Sequence, residues 1–318
     1  MNRIPNAKLR GFSLVELMVS LTIGIVLLLG LATLFVNNKQ TFKETEQRGR
    51  LQENLRFGMQ AVMDSLRTAN YTGCRTTLDS SDVTGITGIS GTNGSGENPD
   101  EVTITMISVT PIATYTPTAS VKNKIEVDQP HSLNVNDKVI LQNCASTLEV
   151  RTVTGIQTDS PSSGKDTLTL DQNPGYDTVA GVSSQARSYD GASVHTETSL
   201  KYHIKDNALW LGTSSSDGSA LVGDTDGDRI ENMQLLYGED TNEDAIADSY
   251  KTADSVTDWD RIISVKVAML FATEDYLGES ASKSYQLLDK SITSNNDRRN
   301  RRVSTVTVML RNQANRYP

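Results

Sequence analysis

Residues 8–36 read KLRGFSLVELMVSLTIGIVLLLGLATLFV, and the rest of the chain is organised around this stretch. A short basic leader carrying Arg3, Lys8 and Arg10 ends at Gly11. From Phe12 to Val36 the chain is almost wholly apolar, and Glu16 is its only charge. At about 1.5 Å per residue, a helical run of this length spans the roughly 30 Å hydrocarbon core of a bilayer. The cationic leader favours a cytoplasmic N-terminus, with the bulk of the chain on the other side. An ordinary secretory signal has a shorter apolar core closed by a small-residue cleavage site. Here the glycine precedes the apolar run, and no A-x-A pattern follows it.

That arrangement resembles the type III signal of type IV pilins and pseudopilins. The resemblance implies a dedicated peptidase that cuts between Gly11 and Phe12 and methylates the new amine. Glu16 matches the acidic residue that the family carries four places further on. The physics of Glu16 agrees, because a carboxylate within a membrane helix is costly and marks function. The run contains no Lys, Arg or His to pair with it. The positive charge that cleavage would create is the Phe12 amine, of the same subunit or a neighbour. The plain alternative is a signal anchor whose Glu16 lies at headgroup level.

Beyond the apolar run, residues 37–72 continue the helix in amphipathic form. Leu51, Leu55, Met59, Val62 and Leu66 fall at spacings of four, four, three and four, drawing one apolar stripe. Glu53, Arg56, Asp64 and Arg67 occupy the other faces. No proline interrupts Phe12 to Tyr71, so a continuous helix would be about 85–90 Å long. The stripe predicts that the upper half grips a globular head while the lower half is left for lipid or neighbouring helices. The segment LQENLRFGMQAVMDSLRTANYTGC (51–74) is similar to the same region of PilW-type minor pilins.

The remainder is low in apolar and aromatic residues (36% and 5%) and rich in turn formers, which suits short strands. Thr76 to Asp100 reads as a flexible Ser/Thr/Gly-rich loop within a β-rich region at 73–190. Strands are expected at Glu101–Val109, Asn123–Asp128, Asp137–Cys144, Leu148–Ile156 and Asp166–Leu170. A second set, within 191–318, is expected at Thr196–Ile204, Ala208–Leu211, Ile230–Tyr237, Arg261–Thr273 and Arg302–Arg311. The fold class is therefore α+β: a long N-terminal helix packed on an antiparallel sheet, with an additional β-rich insertion. ENMQLLYGEDTNEDAIADSY, WDRIISVKVAMLF and RRVSTVTVMLRN follow the PilW-type order, and VNDKVILQNC resembles its Cys-bearing stretch, with Asn136 where Gly is usual.

The two cysteines, Cys74 and Cys144, would meet an oxidising compartment outside the inner membrane, where a disulfide is the default. Their bond would pin the β stretch to the helix and close a loop of about 70 residues, worth about 4 kcal/mol in the chain-entropy model. Two free thiols or intermolecular pairing are the alternatives. Metal-like chemistry is confined to two acidic loops. Asp240, Asn242, Asp244 and Asp248 stand at positions 1, 3, 5 and 9 of a calcium-type pattern. Ala245 and Lys251 replace its usual Gly and Glu, so the loop is no EF-hand. Asp224, Asp226 and Asp228 repeat the 1, 3, 5 spacing more weakly, with Arg229 at the Gly position. The bland reading of both is a solvated turn, which Asp and Asn favour. No cofactor other than this calcium candidate is expected.

Catalytic constellations are missing. His131, His195 and His203 are scattered, and Ser162–Lys165 fails as a P-loop because Asp159 and Asp166 occupy the positions of its Gly and Ser/Thr. Arg298, Arg299, Arg301 and Arg302 form a basic cluster, read as a polar turn into the last strand. Net charge is −9, and −12 without the three leader cations (27 basic against 39 acidic), which disfavours nucleic-acid binding. The resemblance implies a minor pilin that is an assembly component and not an enzyme. It would sit in the inner membrane with a periplasmic head and then enter the pilus. Its partners would be other minor pilins, the major pilin, prepilin peptidase and the inner-membrane assembly platform. A minor pseudopilin of type II secretion is the rival of the same class. A tip adhesin or DNA-uptake subunit, using the Ser/Thr/Gly-rich loop and the arginines, is the rival of another.

Overall fold

A computed structural model describes residues 13–73, 87–116, 123–143, 147–158, 164–174, 191–224 and 227–314. It divides into two units, Met1–Arg50 and Leu51–Pro318. Helix α1 (Leu14–Thr68, 55 residues) supplies the described structure of the first unit and the opening of the second. No proline interrupts it, although Gly24, Gly30, Gly49 and Gly58 are weak helix formers.

In the second unit β1 (Ile89–Thr92), β2 (Glu101–Ile107), β3 (Ala113–Tyr115), β4 (Lys124–Asp128) and β5 (Lys138–Asn143) open a large antiparallel sheet. It continues through β6 (Thr147–Thr158), β7 (Lys165–Leu170), β8 (Ala192–Lys205), β9 (Ala208–Gly212) and β10 (Ser219–Gly223). The long β8 is its hub, pairing with β2, β3, β5 and β9. A second sheet has the order β12-β11-β13-β16, from β11 (Arg229–Glu239), β12 (Ser249–Lys251), β13 (Ile262–Ala281) and β16 (Asp297–Met309). Between its last two strands the chain makes the hairpin of β14 (Ser284–Leu287) and β15 (Lys290–Thr293).

The apolar stripe of α1 does what its spacing predicts. Leu51, Met59, Val62 and Leu66 are buried in one core with Ile230, Met233, Val265, Val267, Phe271 and Val308, and Leu55 packs against it. Val102, Ile104 and Tyr202 from the larger sheet enter the same core. Burial on this scale is the main term holding the unit together, at roughly 25 cal/mol per Å² of apolar surface. A second core, built from Tyr115, Ile125, Val127, Val139, Leu141, Val153, Leu168 and Val194, lies inside a small barrel-like circuit of β8, β5, β6, β7, β4 and β3.

Three features depart from the sequence reading. First, the stretch read as a flexible loop, 76–100, contains strand β1. Ile89 is fully buried opposite Ile104, while Gly88 and Gly91 let the backbone approach Asn70 and the Tyr237 hydroxyl. One apolar residue among glycines draws no periodic signal. Second, the boundary at 190/191 is not a boundary between sheets. Strand β8 begins at Ala192 yet pairs with β3 and β5 of the insertion. Third, the alternation of Ile263, Val265, Val267, Met269 and Phe271 predicts a strand half-buried on one face, but β13 is buried on both, because Ala268 and Leu270 pack under Leu287 and Ile292 of the hairpin. Strands β3, β10, β12, β14 and β15, each of five residues or fewer, are not among those expected from the sequence.

Candidate functional site

The first turn of α1 carries Glu16, and the Leu17 amide donates to the Ser13 carbonyl at 3.1 Å to start the helix. A carboxylate suits this position because it faces the positive end of the helix dipole. The most apolar 18-residue window of α1 has a mean hydropathy of 2.6, and none of it is buried within the protein. Leu14, Leu17, Leu21, Leu28, Leu31 and Phe35 are among the exposed side chains. Ser20 and Thr33 return their hydroxyls to the carbonyls of Glu16 and Leu29, so their polar groups are satisfied within the helix. Such a surface needs lipid or other helices around it. Gly11 and Phe12 lie outside the described residues.

The acidic loop after β11 is organised by its own backbone. Asp240 is fully buried, and its two oxygens accept the amides of Asn242, Glu243 and Ala245 at 3.2, 2.7 and 2.8 Å. Asp248 accepts both the amide and the hydroxyl of Thr241, at 2.7 and 2.6 Å, and those bonds pull its carboxyl below the usual range. Asn242 and Asp244 bond to one another and to the next amides. Both oxygens of Asp240 and one oxygen each of Asn242, Asp244 and Asp248 accept loop amides, and Glu243 and Ala245 take positive φ. Asp240, Asn242, Asp244 and Asp248, the residues of the calcium expectation, are thus brought together on one loop. Among the described residues, no three His, Cys, Asp or Glu side chains converge as a metal group.

The weaker candidate loop divides. Asp226 lies outside the described residues, whereas Asp228 is a structural clamp. Its Oδ2 accepts from Asn54 Nδ2 of α1 at 3.1 Å, and its Oδ1 accepts the Glu274 amide at 2.9 Å. Asp224 donates its amide to the Asp228 carbonyl, closing the turn.

Cys74 and Cys144 lie outside the described residues. The segments leading to them are side by side, since Gln142 Nε2 donates to the Thr72 carbonyl. Each histidine has an ordinary setting. His131 bonds to Asp166 at 3.0 Å, His195 to the Ser108 carbonyl at 2.8 Å, and His203 stacks on Trp210. Of the arginines, Arg301 has a side chain only 2% exposed and forms forked pairs with Glu231 (2.6 and 2.9 Å) and Asp297 (2.6 Å twice). Burial alone would lower its pKa, but the bonds to the two carboxylates overcome that and raise it. Arg299 donates to the Thr273 carbonyl, while Arg302 is exposed. Two members of the cluster are therefore interior struts.

Sequence reasoning missed the ties that seat α1. The Tyr202 hydroxyl reaches the Ala61 carbonyl at 3.2 Å and Ser65 Oγ at 2.7 Å. Asn312 donates to the Ala69 carbonyl at the helix end. A strand tyrosine more than a hundred residues from its helix partner leaves no local signal.

Residues 193–312 match the family model described as type IV pilus-assembly protein W, and residues 6–32 match the prokaryotic N-terminal methylation motif. Among solved structures, a type IV-like pilin from Thermus thermophilus aligns at 11% identity with a TM-score of 0.38. The alignment covers 83% of this chain and 98% of that one. No curated protein matches the sequence.

Proposed function

We infer that this chain, a PilW-type prepilin-like protein and a minor pilin of type IV pilus assembly, is cut between Gly11 and Phe12 and methylated on the new amine. Its apolar helix suits inner-membrane anchoring. The head then lies on the periplasmic side, and the helix passes from the bilayer into the filament core. Its partners are prepilin peptidase, the assembly platform, the major pilin and other minor pilins. The observation that carries this reading is the wholly unburied apolar window of α1 with Glu16 in its first turn. In a filament an unpaired carboxylate among apolar helices would cost several kcal/mol. Pairing it with the Phe12 amine of an adjacent subunit removes that cost at one axial offset, so the pair selects register.

The proximity of Thr72 and Gln142 supports an intramolecular Cys74–Cys144 disulfide formed in the periplasm. The assembly reading is tested by Glu16→Leu in an otherwise unchanged chain. Cleavage, membrane insertion and head folding should persist while the amount recovered in sheared pili falls. Wild-type stoichiometry of the variant in pili would overturn the register mechanism.

A further inference from the structure

Strand β8 serves the two cores with its two ends. Val194 lies in the barrel core and Tyr202 in the core shared with α1, while Thr196 to Lys201 between them includes no buried residue. One edge of this middle section is paired throughout, Glu197 to Tyr202 with β2. The other edge is interrupted. β5 pairs with Ser193 to Thr196 and β9 with Lys201 to Lys205, which leaves Glu197 to Leu200 without a second partner strand among the described residues. Turns at both ends build this gap. After β9 the Asp217 carboxylate accepts the Thr213 and Ser214 amides at 2.9 and 2.6 Å and turns the chain towards β10. Before β5 the Asp137 carboxylate accepts the Asn134 amide at 2.7 Å, and Asn136 takes a φ of +79°. A cavity of about 480 Å³ opens on the gap, lined by Thr196 to Ser199, by Thr213 at the β9 end and by Asp137 and Lys138 at the β5 end.

Backbone alternation decides which groups face it. Successive residues of a strand send their N–H and C=O to opposite edges. The Val194 and Thr196 carbonyls accept the Ile112 and Ser108 amides on the edge held by β2 and β3, each at 2.8 Å. No bulge interrupts the pairing of β8 with β2, so Thr198 and Leu200 face that edge too. The N–H and C=O of Glu197 and Ser199 therefore point into the gap, ready for an antiparallel strand. Their side chains share one face of β8, opposite to those of Thr196 and Thr198. Ser199 Oγ is already bonded to Thr105 Oγ1 at 3.2 Å, which leaves the Glu197 carboxylate to meet an incoming side chain on that face. Asp137 adds to its charge, as does Asp128 in an adjoining cavity that shares Ser132, Leu133 and Thr196, against one lining lysine, Lys138. A residue directly opposite Glu197 is therefore favoured if cationic and repelled if acidic. We propose that this gap accepts a short extended segment of a partner protein as an added strand, antiparallel to β8, with a Lys or Arg opposite Glu197. Main-chain bonds to Glu197 and Ser199 supply affinity, and the cation supplies specificity. Binding there does not depend on the register role of Glu16.

Three fluorescein-labelled peptides test this. The first is Gly-Ser-Thr-Val-Lys-Val-Thr, the second carries Glu in place of Lys, and the third is the first N-methylated at the Lys and at the Thr two residues before it. Anisotropy is followed as the full chain in detergent micelles is added, with empty micelles as the baseline. The lysine peptide should bind saturably, the glutamate peptide at least about threefold more weakly, and the N-methylated peptide at least about fivefold more weakly. Glu197→Lys should reverse the preference between the first two. Glu197→Pro removes a donor that faces the gap and breaks no ladder bond to β2, so it should bind the lysine peptide more weakly than Glu197→Ala, which keeps the donor. Unchanged thermal midpoints separate loss of the site from loss of the fold. Should Glu197→Pro unfold, the N-methylated peptide and the charge reversal decide. No saturable binding of the lysine peptide, equal binding of the N-methylated one, or an unreversed preference in Glu197→Lys would overturn the proposal.

Discussion

Asn54 and Asp228, 174 residues apart in the chain, meet at 3.1 Å, where one carboxylate ties α1 to the sheet it packs on. The second oxygen of Asp228 takes the Glu274 amide at 2.9 Å, so a single side chain joins the helix, the turn before β11 and strand β13. Hydrogen bonds to a charged group are worth about 1.5–3 kcal/mol each when one partner is removed. Asp228→Ala should therefore destabilise the head by about 2–3 kcal/mol in urea titration. Asp228→Asn, which keeps one acceptor, should cost about half as much. A loss below about 0.5 kcal/mol for the alanine variant would remove the clamp from the account.

The calcium question has a direct readout. Because the loop amides already occupy Asp240 and Asp248, millimolar calcium should leave the thermal midpoint unchanged within error. A saturable rise in the midpoint, abolished by Asp244→Ala, would show that the loop reorganises around the ion.

Two glycines make opposite predictions. Gly58 sits in the helix interior, and an added Cβ would meet Ile230 and Phe271 at 3.6 Å, ordinary packing distance. Gly58→Ala should stabilise by roughly 0.5–1 kcal/mol. Gly73 has φ of +84°, and its Cβ would lie 2.3 Å from the Gln142 side chain. Gly73→Ala should destabilise by at least about 1–2 kcal/mol, through both strain and displacement of Gln142. Denaturant midpoints measured side by side decide both.

The cysteine pairing predicts that non-reduced protein resists alkylation and that its intact mass is lower than that of the reduced protein by two hydrogen atoms. Reduction should lower stability by up to about 4 kcal/mol, the loop-closure figure for some 70 residues. Two alkylatable thiols in native protein would refute the pairing.

His203 sets a pH dependence. The residue is 3% exposed, stacked on Trp210, and neither ring nitrogen has a hydrogen-bond partner among the described residues. Burial pushes its pKa below 6.5, aided by Lys201 and Lys205 and opposed by Glu101 and Asp217. Between that depressed value and 6.5 the unfolded chain binds a proton that the folded chain refuses, so stability falls as pH drops through this window. His203→Phe, which keeps an aromatic ring against Trp210, should flatten the slope below about pH 6.5. An identical slope in the variant would assign the titration elsewhere.

Local pattern in the sequence determined the helix and the strands with enough alternating residues to register. The membrane-length run, the solitary Glu16 and the stripe from Leu51 to Leu66 are legible because periodicity and charge are written consecutively along the chain. Tertiary structure alone decided that β8 joins the insertion to the rest of the larger sheet, and that Ile89 makes a strand of a glycine-rich stretch. It also turned Asp228 from a prospective ligand into a clamp, and Arg301 from a surface cation into an interior strut. An acidic spacing specifies which oxygens are near one another, but not whether a metal, a backbone amide or a distant asparagine will occupy them. That choice depends on which donors the folded chain brings within about 3 Å, and those come from residues tens to hundreds of positions away.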